Sequence, residues 1–236
     1  MFVKFWAFYA FFQQKTIYSF EFCVYVVKKP FMISFDGISG TGKDTYIEFV
    51  KKELRRRGRT VVLIEEAKLN PFSREIVSLI GMYDKKEYDL YAGLLFNAGR
   101  KYIQEKYVRH LLGKDVVILL NRSIVSTMAQ QSMHGVDIKN LKAVNEEIGI
   151  INPDLKFLFY CRPKTAYKRV KKRSEGRNVL AGKFNRTLSD FRRAGRQYIK
   201  AGKIEGCVFV NTEKDMNHVK KEILEIILKK LKKKQN

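Results

Sequence analysis

The chain has 236 residues, 45% hydrophobic and 30% charged, which fits one globular domain and argues against a collagen-like repeat or wholesale disorder. Lys and Arg number 47 against 24 Asp and Glu, a net charge of +23, so anionic partners are expected: phosphates, nucleic acid or a membrane surface. Cys23, Cys161 and Cys207 form no CxxC pair, and His110, His134 and His218 show no metal-ligand spacing, which speaks against a disulfide framework and a zinc site.

Residues 1–31 hold 12 of the 30 aromatics and only Lys4, Lys15, Glu21, Lys28 and Lys29 as charges. The apolar run Phe5 to Phe12 stops at Gln13-Gln14-Lys15, short of the roughly 20 residues a bilayer span needs. No small-residue cleavage site follows, so the stretch does not read as a signal peptide. Met32 opens a strand pattern of its own. The expectation is an appended or mis-started leader at 1–31, a working domain at 32–236, and a cytoplasmic protein. Membrane contact is not expected unless through the leader.

Phe31 to Phe35 reads as a short buried strand bounded by Asp36-Gly37. Gly37-Ile38-Ser39-Gly40-Thr41-Gly42-Lys43-Asp44-Thr45 follows, and then Tyr46, Ile47, Phe49, Val50 and Leu54 recur at helical spacing up to Gly58. Strand, glycine loop, lysine and helix is the context a phosphate loop requires. Such a loop turns its N–H groups inward at a helix N-terminus, and Lys43 reaches the β- and γ-phosphates of a nucleotide. ATP is the cofactor this implies. The residue after the lysine departs from the motif: Asp44 stands where a Ser or Thr hydroxyl usually meets Mg²⁺, with Thr45 one step later.

Further along, Thr60–Ile64 predicts a strand, and 71–80 and 88–112 predict helices, the second stopped by Gly113. Val116–Leu120 is an apolar strand, 124–133 a helix, and 141–150 a helix stopped by Asn152-Pro153. Leu155–Tyr160 is a strand, 165–173 and 185–201 are helices, Cys207–Val210 is a strand, and 219–231 is a last helix. Five apolar strands between helices predict an α/β three-layer sandwich of the P-loop NTPase kind. Its sheet is parallel, five-stranded and covered by helices on both faces. Phosphates should bind at the carboxyl ends of the strands. Arg162 to Lys203 carries 15 basic residues against Glu175 and Asp190, so more than half of the net charge sits there.

An Asn-Lys-x-Asp base-reading motif is absent, and the strand Val117 to Leu120 ends in Asn121 rather than an acid. Asn121-Arg122-Ser123 resembles the Asp-Arg-Tyr motif of thymidylate kinases and the Glu-Arg-Ser motif of deoxynucleoside kinases. Leu94-Leu95-Phe96-Asn97-Ala98-Gly99-Arg100 resembles the thymidylate kinase segment that stacks thymine on Phe and hydrogen-bonds it through Arg. Residues four apart share a helix face, so both side chains can meet one base. From about Phe31 to the last helix the chain is similar to the thymidylate kinase family, in several weak motifs in the right order.

The resemblance implies transfer of the ATP γ-phosphoryl to a nucleoside monophosphate, dTMP to dTDP, with Mg²⁺. It assigns nucleotide binding to Gly37, Ile38, Ser39, Gly40, Thr41, Gly42, Lys43, Asp44 and Thr45, and acceptor binding to Phe96, Arg100, Arg122, Thr127 and Gln130. Gln131 matches a family Gln, whereas Gln130 stands where the family has Tyr. The loop has no arginine, so a lid at about 173–186 should supply positive charge to the transferring group. Arg173 and Arg177 are the candidates there, with Lys43 and Arg122 completing the catalytic set and Arg169 and Arg186 behind them. A homodimer is the family habit, and nucleic acid is not expected as a partner.

Four departures qualify the resemblance: Ser39 for Asp, Asp44 for Ser or Thr, Asn121 for Asp, and Glu65-Glu66-Ala67 for Arg-Glu-Pro. Asp44 brings a carboxylate to the metal from the loop while Asn121 removes one from the strand end, so one explanation is a charge exchange, with Asp44 as metal ligand. A decayed or retuned site is the other. Two further functions stay open: a deoxynucleoside kinase using Glu65 or Glu66 as base, and a basic nucleotide- or nucleic-acid-binding protein with a decayed kinase site. Lys229, Lys230, Lys232, Lys233 and Lys234 favour the last, although Ile223, Leu224, Ile226, Ile227, Leu228 and Leu231 predict simple packing of that helix on the sheet.

Overall fold

The computed structural model describes residues 29–81, 86–174 and 187–235. The leader therefore lies outside the described residues except for its last three. The strands are β1 (Phe31–Asp36), β2 (Thr60–Glu65), β3 (Val116–Asn121), β4 (Leu155–Tyr160) and β5 (Val208–Asn211). They form one sheet in the order β2-β3-β1-β4-β5, and every pairing is parallel. Nine α-helices are described: α1 (Lys43–Arg56), α2 (Glu66–Leu69), α3 (Ser73–Gly81), α4 (Lys86–Ile103), α5 (Ile124–Gln131), α6 (Ile138–Glu147), α7 (Pro163–Ser174), α8 (Leu188–Ile204) and α9 (Met216–Gln235).

Side chains alternate across the sheet. Ile33, Phe35, Leu119, Phe157 and Phe159 pack with Tyr46, Ile47, Val50 and Leu54 of α1 and with Val219, Ile223, Ile227 and Leu231 of α9. Phe35 stacks on Phe157 and Phe159 with ring centroids 5.8 and 5.9 Å apart. On the opposite face Leu158 packs with α5 and α8, while Met32, Ile118 and Leu120 meet Ile103 and Val108. Burial of each such side chain contributes about 1.5–3 kcal/mol, which makes the three-layer arrangement the dominant stabilising term. α9 packs as its apolar positions predict, and Lys229, Lys230, Lys232 and Lys233 point outward. No described helix is long and apolar enough to cross a membrane.

Register fixes where the functional loops emerge. Phe35 pairs with Asn121, Glu65 pairs with Asn121 from the other side, and Asp36 pairs with Leu158. The carboxyl ends of β1, β2 and β3 therefore lie in one row, and the glycine loop after β1 opens beside the Asn121-Arg122 turn.

Several helix limits differ from the expected ones for physical reasons. α4 ends at Ile103 and continues as a π-turn, Gln104–Val108, and a 3₁₀ turn, Arg109–Leu111. Ile103 and Val108 are five apart yet both buried, a spacing that a widened i→i+5 turn accommodates. Gln104 is also tied to Ile151, donating to its carbonyl at 2.9 Å and accepting from its N–H at 2.7 Å. α8 starts at Leu188 because Thr187 and Asp190 form a capping box. Asp137, accepting from the Lys139 N–H, starts α6 at Ile138 rather than Leu141. The four-residue α2 is too short to leave a periodic signal.

Candidate active site

The loop between β1 and α1 is held by close backbone approaches. A Cβ on Gly37 would lie 2.4 Å from the Phe159 carbonyl oxygen, and one on Gly40 2.4 Å from that of Ala166. Gly40 also has φ +86°, so a side chain there is excluded by both space and backbone. Ile38 through Thr45 line a cavity of about 550 Å³. Gly37 does not line it and serves instead as the turn behind the loop. Lys43 is buried, and burial together with the Arg122 charge lowers its pKa to about 8, partly offset by Asp44. A cation held this way gains most from a bound phosphate, which restores the charge balance that burial upsets.

Asp44 and Asn121 touch. Asn121 Nδ2 donates to Asp44 Oδ1 at 3.0 Å, and Lys43 Nζ donates to the same oxygen at 3.2 Å. Burial opposes ionisation of Asp44, but the Lys43 charge and the Asn121 hydrogen bond outweigh it and hold the carboxyl below its usual range. Arg169 donates to the Gly40 carbonyl at 3.3 Å, and Arg169 and Arg173 both line the cavity. Arg177 and Arg186 lie outside the described residues.

A second cavity of about 170 Å³ is lined by Phe96, Thr127, Gln130 and Gln131. Ser39, Ala67 and Arg122 line both cavities, so the two share a wall. Arg122 sits at φ +84°, rare for a residue with a side chain and costing about 1–3 kcal/mol. The neighbouring contacts over-determine that conformation. Buried Asp36 accepts from the N–H and hydroxyl of Ser123 (2.9 and 2.7 Å) and from those of Ser126 (3.2 and 2.6 Å), pinning the start of α5 to the end of β1. Arg122 NH1 donates to Tyr198 Oη at 2.9 Å and Ser126 Oγ at 3.2 Å, and reaches the Gly37 carbonyl at 3.5 Å. All three of these bonds use NH1, and Nε and NH2 have no hydrogen-bond acceptor among the described residues, which leaves an edge for a bidentate phosphate contact.

Phe96 is half-buried and keeps part of its surface at the second cavity. Arg100 does not line that cavity, although it lies one helical turn on from Phe96. All five of its N–H groups are taken: Nε and NH2 by Glu66, NH2 also by Thr127 (3.0 Å), and NH1 by Asn97 (2.9 Å) and Asn145 (3.3 Å). The pair is buried, and burial pushes the Glu66 carboxyl up against the pull of Arg100. Glu66 is thus occupied as a strut, and Glu65 pairs with Lys68 at 2.7 Å on the surface. Gln130 contacts Tyr198 Oη at 3.4 Å. Gln131 is almost wholly buried, lines the cavity, and has an Oε1 with no hydrogen-bond partner.

Sequence reasoning missed Asp36 and Tyr198. Asp36 read only as a strand boundary, and Tyr198 is separated from Arg122 by 76 positions with no local pattern linking them.

A thymidylate kinase family model matches residues 35–223. A probable thymidylate kinase of Sulfolobus acidocaldarius is 30% identical over 203 residues, covering 84% of this chain and 96% of the relative. One from Sulfurisphaera tokodaii is 36% identical over 147 residues, 61% of this chain and 70% of the relative. A thymidylate kinase of a Thermoanaerobacter species is 28% identical over 207 residues, 84% of this chain and 98% of the relative. With the phosphate loop, the paired cavities and a match running through nearly the whole described fold, the chain belongs to the thymidylate kinase family of nucleoside monophosphate kinases.

Proposed function

We propose that the chain transfers the γ-phosphoryl of ATP to the 5′-phosphate of dTMP, giving ADP and dTDP. The observation that carries this is the shared wall: Arg122 borders both the loop cavity and the Phe96 cavity, so a donor and an acceptor phosphate can meet at one guanidinium. Ile38 through Thr45 cradle the ATP phosphates, with Gly37 as the turn behind them and Lys43 on the β- and γ-oxygens. Arg122 clamps the acceptor phosphate, whose oxygen is already ionised and attacks the γ-phosphorus as ADP leaves. No general base is required, in keeping with the engagement of Glu66 by Arg100. Arg173, which lines the loop cavity, brings positive charge to the transferring group, with Arg169 at the Gly40 carbonyl; the same role for Arg177, backed by Arg186, rests on the family resemblance alone. Asp44 and Asn121, which meet at the loop cavity, are the residues that would hold Mg²⁺, and the ion when bound would offset phosphate negative charge.

Phe96 stacks the thymine, and the unpartnered Gln131 Oε1 is the acceptor best supported for its N3–H. Thr127 and Gln130 close the acceptor cavity. Arg100 reaches a base only by exchanging one of its present acceptors, of which Asn145 is the longest at 3.3 Å. A homodimer belongs to the same proposal, with Tyr91 and Tyr102, exposed on α4, as the surface it would cover. The outward lysines of α9 serve as a solvated face rather than a nucleic-acid site.

A panel of thymidine and the nucleoside monophosphates with ATP and Mg²⁺, read as ADP release, tests the assignment. Turnover with dTMP and none with thymidine is expected. Turnover with thymidine alone would make the protein a deoxynucleoside kinase. Salt-sensitive oligonucleotide binding without turnover would make it a binding protein.

A further inference from the structure

We propose that in this enzyme the metal-binding carboxylate has moved from the end of β3 to the phosphate loop, with Asp44 presenting it and Asn121 positioning it. The inference rests on the phosphotransfer assignment and concerns how that site holds its cation.

P-loop enzymes commonly hold Mg²⁺ between a hydroxyl on the residue after the loop lysine and an acid at the end of a neighbouring strand. Here the two chemistries are interchanged: a carboxylate follows Lys43 and a neutral amide ends β3. The count of carboxylates is preserved. The contact between the two side chains shows that they serve one point in space, because residues 77 positions apart meet at Asp44 Oδ1 at 3.0 Å. A carboxylate carried by the loop therefore ends where the strand-end side chain reaches.

The remaining contacts orient that carboxylate. Oδ1 accepts from both Asn121 and Lys43, and no hydrogen bond to Oδ2 is found among the described residues. The Asp44 side chain is 59% exposed and lines the loop cavity, so Oδ2 is available to a cation there. Asn121 contributes a second signal. Its Oδ1 is buried without a hydrogen-bond partner, although buried acceptors are nearly always satisfied. A turn of the amide about its last bond would exchange this oxygen for the nitrogen at Asp44 and place two oxygens side by side, an arrangement that only a cation or a donor between them makes favourable. Mg²⁺ takes such ligands together with phosphate oxygens.

The competing account is a decayed site in which Asp44 merely repels the nucleotide. Mn²⁺ binding to the protein with a non-transferable ATP analogue, followed by electron paramagnetic resonance, separates the two without requiring turnover. Wild-type kinase activity, measured apart, tests the underlying assignment. The exchange predicts that Asp44→Asn weakens Mn²⁺ binding about tenfold or more, and that Asn121→Ala weakens it by roughly tenfold through lost positioning. Asp44→Thr combined with Asn121→Asp should restore affinity to within about threefold of wild type, since it rebuilds the usual arrangement. Analogue binding in EDTA reports that the loop of each variant is intact. The proposal is overturned if Asp44→Thr alone binds Mn²⁺ as tightly as wild type or tighter, or if the double variant binds no better than Asp44→Thr.

Discussion

Replacing Glu66 by Gln removes the charge on one side of the buried pair with Arg100 and leaves the guanidinium almost out of water, since Glu66 and Arg100 are 8% and 5% exposed. Two of the five Arg100 donors lose a charged acceptor, while Asn97, Asn145 and Thr127 remain. Breaking a buried pair from one side costs about 3–5 kcal/mol. For a domain of this size each kcal/mol lowers Tm by about 2–4 °C, so Glu66→Gln should melt roughly 6–20 °C below wild type. Replacing both partners with apolar residues, Glu66→Leu with Arg100→Met, should cost less than either single change, because no charge is left stranded. Scanning calorimetry supplies the stabilities, and steady-state kinetics below the transition supply KM for dTMP and kcat. KM should rise as the acceptor cavity loosens, while kcat stays well short of the roughly 10²–10⁴-fold loss that removing a general base causes. An unchanged Tm with kcat reduced by that amount would refute the strut and make Glu66 a base.

Other variants probe neighbouring parts of the site. Lys43, with its pKa near 8, must take up a proton when phosphates bind above that pH, so ATP affinity should be flat below about pH 8 and fall by up to about tenfold per unit above it. Calorimetry in buffers of different ionisation enthalpy checks this, and no proton uptake at pH 9 would count against it. Gly40→Ala puts a Cβ 2.4 Å from the Ala166 carbonyl oxygen at φ +86°, so nucleotide binding should collapse and stability fall by about 1–3 kcal/mol. Asp36→Ala strips the four hydrogen bonds that pin the start of α5; it should cost at least about 3 kcal/mol and raise KM for dTMP more than KM for ATP. Equal effects on both KM values would show that Asp36 supports the loop rather than the Arg122 turn. Arg122→Lys keeps the charge but loses the fork, so kcat/KM for dTMP should drop about 10²-fold, and a smaller loss than tenfold would mean that the clamp is not bidentate.

The legible parts of the fold were those with strong local signals. β3 is apolar up to Asn121, and β1 and β4 are apolar but for Ser34, Asp36 and Lys156, because both faces of the sheet are covered; their limits agree with the sequence to within one residue. The loop was readable because its glycines are demanded by backbone approaches and positive φ at fixed offsets from Lys43. Phe96, Arg122, Thr127 and Gln130 line one cavity. The pairing of Arg100 with Glu66 was not readable, since it joins residues 34 apart on different elements and depends on how α2 turns after β2. Tyr198 is hidden for the same reason: its period in α8 marks it only as core, and its hydroxyl acquires meaning from Arg122. The contact of Asp44 with Asn121 was anticipated in charge but not in geometry, because only the parallel register brings the ends of β1 and β3 together.

The most direct measurement of the central claim is the fate of label from [γ-³²P]ATP incubated with Mg²⁺ and dTMP. The account predicts that label appears in dTDP in step with ADP and that Arg122→Ala abolishes it. Label in dTMP from added thymidine, or ADP formed at the same rate without any acceptor, would contradict it.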